Sequence, residues 1–274
     1  MRSLEKSTVV ITGATSGLGR YLAEQVAALG AQVVVHGRDS ERLERARDEI
    51  TAATGNEHMD TVRADLASLA EVEALAGELE RRFDRIDVLV SNAGIGFGAP
   101  DSGRQVSADG YELRFAVNYL AGYHLTRRLL PLLAGRVVNV SSAGQQPIDF
   151  ADVQLERSYD GVSAYRQAKL AQIMFSFDLA EELRDRGVTV NALHPATFMD
   201  TAMVHEAGIG VLNTVEEGGT ATLRLIADPA LDRVTGRYFD GTRETRALDQ
   251  AYDPAARARL RELSEELVRR ALGS

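Results

Sequence analysis

Short runs of β-branched and other apolar residues alternate along this chain with longer segments whose apolar positions recur every three or four residues. The first pattern is that of buried strands, the second that of helices with one covered face. Strands are expected at Thr8–Thr12, Gln32–His36, Asp60–Ala64, Ile86–Ser91, Arg136–Ser141 and Val188–Leu193. A weaker seventh, Arg237–Asp240, follows the turn-like Thr235-Gly236. Helices are expected near Gly17–Leu29, Ser40–Thr54, Leu69–Phe83, Ala108–Leu133 and Val162–Arg186. In the last of these, Leu170, Ile173, Met174, Phe177, Leu179 and Leu183 keep close to a helical period, and Gly187 follows as a stop. Such alternation builds βαβ units, which predicts an α/β fold: a doubly wound parallel sheet of about seven strands with helices on both faces. No internal repeat, low-complexity tract or linker interrupts it, so residues 1–274 read as a single domain.

Three segments stand outside the simple alternation. Gln145–Gly161 is longer than most loops of a compact domain. Phe198–Asn213 mixes glycine with Met199, Met203, Val204, Ile209, Val211 and Leu212, which suits either a substrate lid over 198–213 or a helix packed on the core. Pro254–Leu272 carries Leu260, Leu263 and Leu267 at helical spacing and reads as packing or subunit contact.

Composition narrows the function classes. The 31 basic and 40 acidic residues leave a net charge of −9, which argues against nucleic-acid binding. The absence of cysteine excludes disulfides, thiolate metal sites and cysteine nucleophiles, and fits a reducing compartment. The five histidines show no metal-ligand spacing, so no metal is expected. The first apolar run, Val9–Ile11, is too short for a signal peptide core, and no stretch is long enough for a membrane span. A cytoplasmic location is the corresponding expectation.

Only two of the basic residues are lysines, Lys6 and Lys169, and Lys169 lies four positions after Tyr165. Residues four apart share one face of a helix, which would bring phenol and ammonium into one place. A neighbouring cation favours phenolate and draws a tyrosine down toward working pH, where it can exchange a proton. Upstream, Thr12-Gly13-Ala14-Thr15-Ser16-Gly17-Leu18-Gly19 follows the first strand and opens the first helix. Glycines there let a pyrophosphate approach backbone amides at a positive helix end. At the end of the second strand the chain reads His36-Gly37-Arg38-Asp39. Gly37 leaves the acidic ribose-binding position empty, Arg38 offers a fork suited to a 2′-phosphate, and Asp39 suits a helix cap. NADP(H) rather than NAD(H) is the expected cofactor.

With the glycine loop, Asn92-Ala93-Gly94 and Tyr165-x-x-x-Lys169 in that order, the chain resembles the short-chain dehydrogenase/reductase family from about Val9 to Pro195. The resemblance implies a Rossmann fold and NAD(P)-dependent oxidation of alcohols or reduction of carbonyls. It implies catalytic roles for Tyr165, Lys169, Ser142 and Asn118. Tyr165 would exchange the proton and Ser142 would hydrogen-bond the same oxygen, with Ser141 able to share that role. Lys169 would bind the nicotinamide ribose and lower the tyrosine pKa, and Asn118 would hold a water linking the lysine to solvent. Gly13, Thr15, Ser16, Gly17, Leu18, Gly19, Arg38, Asp65, Leu66, Asn92, Ala93 and Gly94 would line the cofactor, with Tyr165 and Lys169. After the sixth strand, His194-Pro195-Ala196-Thr197-Phe198-Met199-Asp200-Thr201 departs from the family pattern. Pro195 and Thr197 are the expected cofactor contacts there, with Thr201 the alternative to Thr197. His194 reads as a strand-end packing residue. The long Ser142–Tyr165 spacing and Tyr165-Arg-Gln-Ala-Lys-Leu-Ala are similar to the retinol-dehydrogenase-like branch, which implies a lipophilic substrate. Such proteins are often dimers or tetramers, so a homo-oligomer is possible under the resemblance. A catalytically silent NADP(H)-binding regulator on the same fold is the rival reading.

Overall fold

The computed structural model describes residues 1, 3–99 and 102–273. Its strands are β1 (Thr8–Ile11), β2 (Gln32–Gly37), β3 (Met59–Arg63), β4 (Ile86–Ser91), β5 (Leu133–Val140), β6 (Thr189–His194), β7 (Arg237–Asp240) and β8 (Arg243–Thr245). They form one sheet in the order β3-β2-β1-β4-β5-β6-β7-β8, parallel throughout except for the antiparallel β7–β8 pair. The doubly wound parallel sheet expected from the sequence is therefore present, with β8 as an added edge. That strand has three residues and no apolar alternation, so the pattern of the chain does not announce it.

Helices cover both faces: α1 (Gly17–Ala28), α2 (Ser40–Thr54), α3 (Leu69–Arg82), α4 (Ala121–Leu129), α5 (Gly161–Glu182), α6 (Ala202–Glu206), α7 (Val215–Ala227) and α8 (Pro254–Leu272). Alternate strand residues feed two separate cores. Val10, Val34, Leu89, Val137 and Val190 face α3, α4, α5 and α8, while Val9, Ile11, Val33, Val35 and Val90 face α1, α2 and α7. Asp39 and Ser68 accept hydrogen bonds from Arg42 N and Glu71 N and start α2 and α3. The helical end near Gly187 also holds: α5 passes into a short 3-10 turn, Arg184–Arg186, and Gly187 stops it at φ 69°.

One expectation about helices needs correction. The segment Ala108–Leu133 is not one helix. Ser107 Oγ accepts from Asp109 N and Tyr111 N, Gly110 turns the chain at φ 82°, and a π-helical turn (Phe115–Leu120) precedes α4. Pro131 falls just beyond α4, and β5 begins at Leu133. Beyond the expected helices stands α7, which contains Gly218 and Gly219 although glycine weakens a helix. Packing overrides propensity here: a Cβ on Gly219 would collide with the Tyr21 ring and one on Gly218 with Met199 Sδ. A capping box between Thr214 and Glu217 starts the helix.

Candidate active site

The chain crosses from one side of the sheet to the other between β1 and β4, so a crevice opens beyond their carboxyl ends. Thr12 closes its floor. Its hydroxyl accepts from Asn92 N and Ala93 N, both at 3.0 Å, while Asn92 Nδ2 donates to the carbonyls of Thr12 (2.9 Å) and Gly13 (3.2 Å). Asn92-Ala93-Gly94 thus stitches β4 to the glycine loop. Gly13 turns at φ 66° with its α-carbon face pressed on Ala93, where a Cβ would come within 2.8 Å of Cα. A Cβ on Gly19 would collide with the Gly13 carbonyl. Beyond them Ser16 starts α1 in an extended conformation without a side-chain cap bond, leaving the helix amides for an anion. Leu18 is buried beneath the loop.

His36, missed at the sequence level, fastens this loop. Its Nδ1 accepts from Gly13 N at 3.2 Å, its Nε2 lies 3.1 Å from the Ala64 carbonyl, and its own carbonyl accepts from Ala14 N. Those bonds need the neutral ring donating from Nε2, and burial pushes its pKa down to about 4. Gly37 lies against Thr15, whose Cγ2 a Cβ would approach to 2.7 Å. Arg38 is exposed beside it, and Asp39 is engaged as the cap of α2. Asp65 Oδ1 accepts from Ala67 N in the turn before α3, with Leu66 buried next to it.

The residues expected to handle a proton come together next to Gly94. Asp160 caps α5 through Val162 N and Ser163 N, and the helix carries Tyr165 and Lys169 inward, 9% and 4% exposed. The Ser142 side chain is near enough to the Tyr165 phenol to oppose the upward push of burial on its pKa, and its Oγ accepts from Gly144 N at 3.0 Å. Ser141 does not share that position, because its hydroxyl donates to the Lys169 carbonyl at 2.7 Å. The ammonium donates to Val140 O and Gln172 Oε1, each at 3.0 Å, and sits 5.6 Å from the Tyr165 ring centre. Burial pushes the Lys169 pKa down to about 7 and the Tyr165 pKa up, the latter partly offset by Ser142. The downward pull of Lys169 on the phenol expected from spacing alone is therefore not what sets its pKa: both groups are buried, and desolvation dominates. Asn118 uses both ends of its amide on Ile95, accepting from its N (2.7 Å) and donating to its O (3.0 Å). A Cβ on Gly94 would stand 3.2 Å from Asn118 Oδ1 and 3.7 Å from Lys169 Nζ, so a side chain here would press on the Asn118 amide.

The segment after β6 divides the two threonines. Thr197 is exposed and its hydroxyl pairs with His194 Nε2 at 3.0 Å, whereas Thr201 Cγ2 lies above Gly17, 3.1 Å from where a Cβ would be. Pro195 is buried and packs near Gly218. Met203 of α6 rests on Gly96, and the Phe97 ring meets Tyr165 edge-on with centres 4.8 Å apart.

A glycine cradle at a helix N-terminus, opposite a buried tyrosine and lysine and a half-buried serine, is one of several folds' ways to hold a nucleotide, and similarity to known proteins separates them. Residues 7–210 match the family described as short chain dehydrogenase. The chain belongs to that family. This short-chain dehydrogenase is 36% identical to retinol dehydrogenase 14 of Mus musculus over 95% of its own length and 85% of the relative's. It is 34% identical to polyprenol dehydrogenase of Mus musculus, covering 92% and 80%. Among solved structures, a short chain dehydrogenase from Escherichia coli CFT073 complexed with NADPH superposes with a TM-score of 0.72 at 28% identity, covering 87% and 98%. An uncharacterized protein from Mycobacterium paratuberculosis gives 0.81 at 29%, covering 98% and 96%. The short-chain dehydrogenase is thus an oxidoreductase acting on CH–OH groups, of the retinol-dehydrogenase-like branch, and its family uses a nicotinamide cofactor. No helix among its described residues is long and apolar enough to cross a membrane, and they hold no cluster of three or more metal-ligating side chains.

Proposed function

We infer that the protein is an NADP(H)-dependent oxidoreductase that interconverts a carbonyl and an alcohol on a small to medium lipophilic substrate, with Tyr165 as acid and base. The observation that carries this is the convergence of Ser142, Tyr165 and Lys169 beside Gly94, at the mouth of the glycine cradle. The cradle fits a dinucleotide, since Gly13 and Gly19 hold the space that side chains would fill and the start of α1 offers free amides. Gly13 to Gly19 would receive the pyrophosphate, Asp65 and Leu66 would flank the adenine, and Asn92, Ala93, Gly94, Tyr165, Lys169 and Pro195 would meet the nicotinamide half. Thr201, above Gly17, is better placed than Thr197 to join them. The exposed Arg38 next to Gly37 favours a 2′-phosphate, in keeping with the NADPH-bound relative. When bound, the nicotinamide ring supplies or accepts the hydride.

Tyr165 then donates its proton to the carbonyl oxygen, or removes it in the reverse direction, and its raised pKa keeps that proton in place at neutral pH. Ser142 hydrogen-bonds the same oxygen and fixes its position. Asn118 holds the Ile95 backbone beside the ammonium. Residues 198–213 act as the lid, since Thr201 spans the cofactor side and Met203 the substrate side. A lipophilic substrate suits Phe97 against the phenol ring, Met203 over Gly96, and the alcohols named in the relatives.

The test is oxidation of NADPH and of NADH over a panel of aldehydes and ketones of increasing size, with Tyr165→Phe alongside. Turnover should fall by about 10²–10⁴ in the variant while NADPH binding stays. Unchanged turnover would refute the assignment. Equal use of NADH would remove the cofactor preference, and inactivity across the panel would turn the reading toward a regulator.

A further inference from the structure

Behind the phenol lies a charged cluster that the proton chemistry does not use. Arg114 and Glu112 are 2% and 0% exposed. Charges so deep are costly unless their hydrogen-bonding groups are paired, so what the guanidinium grips is informative. Its Nε donates to the Gly96 carbonyl at 2.9 Å, and its Nη1 donates to the Tyr159 hydroxyl at 2.7 Å and lies 3.5 Å from Glu112 Oε1. Its Nη2 fills the space over Gly98, where a Cβ would come within 2.5 Å. Tyr159 in turn donates to Glu112 Oε1 at 3.3 Å, and Glu112 Oε2 accepts from Phe115 N at 2.7 Å. One side chain therefore ties together the loop after β4, the π-helical turn bearing Asn118, and the residues leading into α5.

Phe97 sits in the middle of the gripped backbone. Its carbonyl abuts Gly161, the first residue of α5, so closely that no Cβ would fit there, and its ring stands at 81° to that of Tyr165. We propose that Arg114 is a positioning residue: it clamps Gly96–Gly98 so that Phe97 covers one side of Tyr165 and thereby sets how bulky a carbonyl can reach the phenol. Phe97 is then the specificity-determining residue and Arg114 acts through it. The planar fork suits this task, since it donates along several directions at once, which an ammonium on a flexible stem does not. The proposal rests on Tyr165 as the proton donor.

A double-mutant cycle tests it. The full chain, Phe97→Ala, Arg114→Met and the double variant are assayed with NADPH on a linear aldehyde and a bulky cyclic ketone, with Tyr165→Phe in parallel. Phe97→Ala should raise the ketone-to-aldehyde ratio of kcat/KM by about tenfold or more. Arg114→Met should move the ratio the same way, and the double variant should match Phe97→Ala within about twofold, because the second change has nothing left to act on. NADPH affinity, read by fluorescence titration, should stay constant throughout. If Arg114→Met does not fold, Tyr159→Phe removes one partner of the guanidinium and should shift the ratio in the same sense, and again not on top of Phe97→Ala. Additive shifts, or a ratio that Phe97→Ala leaves unmoved while Tyr165→Phe abolishes turnover, would overturn the proposal alone. Wild-type turnover in Tyr165→Phe would overturn the functional reading and the proposal with it.

Discussion

Burial gives Lys169 a charge that the fold would rather not hold. Its folded pKa, about 7, lies below the ordinary 10.5, so the unfolded chain keeps a proton that the folded chain releases between those values. Stability therefore rises with pH across that window, and at neutral pH the ammonium is a net cost even with its two hydrogen bonds. Lys169→Met should accordingly stabilise the fold, by about 1–3 kcal/mol after allowing for the acceptors left behind on Val140 and Gln172. A thermal melt should show Tm higher by several degrees alongside a large loss of turnover; an equal or lower Tm would contradict the argument. At this scale the sequence was informative about proximity and silent about depth. Four-residue spacing is enough to put Tyr165 and Lys169 on one helix face, but the direction of a pKa shift depends on how much water is excluded. The same limit left Ser141 and Ser142 open, until the Ser141 hydroxyl was found engaged with the Lys169 carbonyl. Gln172 was findable: it follows Lys169 by three residues on the same helix and accepts from its ammonium.

The glycine loop shows how one strand end holds another. His36, at the end of β2, joins the loop to β3 through Gly13, Ala14 and Ala64. Because its folded pKa of about 4 lies below the ordinary 6.5, the unfolded chain takes up the proton first as pH falls. The stability this ring contributes is full above about pH 6.5 and is lost as pH drops toward about 4, up to about 3 kcal/mol. His36→Leu should be less stable at pH 7, for want of two hydrogen bonds, yet lose less on acidification. Urea unfolding at pH 7 and pH 5 measures both, and parallel losses in the two proteins would dismiss the role. NADPH affinity should fall by about tenfold, since a looser Gly13 no longer presents its neighbours' amides in place. β1, β2, β4, β5 and β6 were readable because parallel strands buried on both faces are near-continuous apolar runs, whereas the half-covered β3 and β7 carry that pattern weakly. α7 and the turn bearing Asn118 were not, since glycines in close packing and a π-helical turn both contradict local propensity.

Across the whole molecule, α8 fastens the helices that carry the site. Tyr119 and Ser264 Oγ are 2.8 Å apart, Tyr111 donates to the Leu267 carbonyl at 2.8 Å, and Arg261 pairs with Asp178 of α5 at 2.6 Å. Ser264 gives its own proton to Leu260 O, which makes Tyr119 the donor of the pair. Ser264→Ala would strand that buried hydroxyl at a cost of about 1–3 kcal/mol. Tm should drop by several degrees with kcat/KM unchanged at room temperature, and an unaltered melt would mean that α8 is not held in this way. The packing half of the sequence expectation for Pro254–Leu272 is thus what the fold displays, because leucines at helical spacing declare a covered face without naming what covers it. The sheet has one more consequence, at its margins. A parallel sheet ends in rows of unmatched peptide groups, which invite a strand from a neighbouring chain. Here one margin is the short β8 with exposed Arg243 and Glu244, and at the other Arg82 donates to the Thr61 carbonyl of β3. Both rims are guarded by charge, so concentrated solutions of this protein should resist growth into ordered aggregates even while its apolar interior remains large.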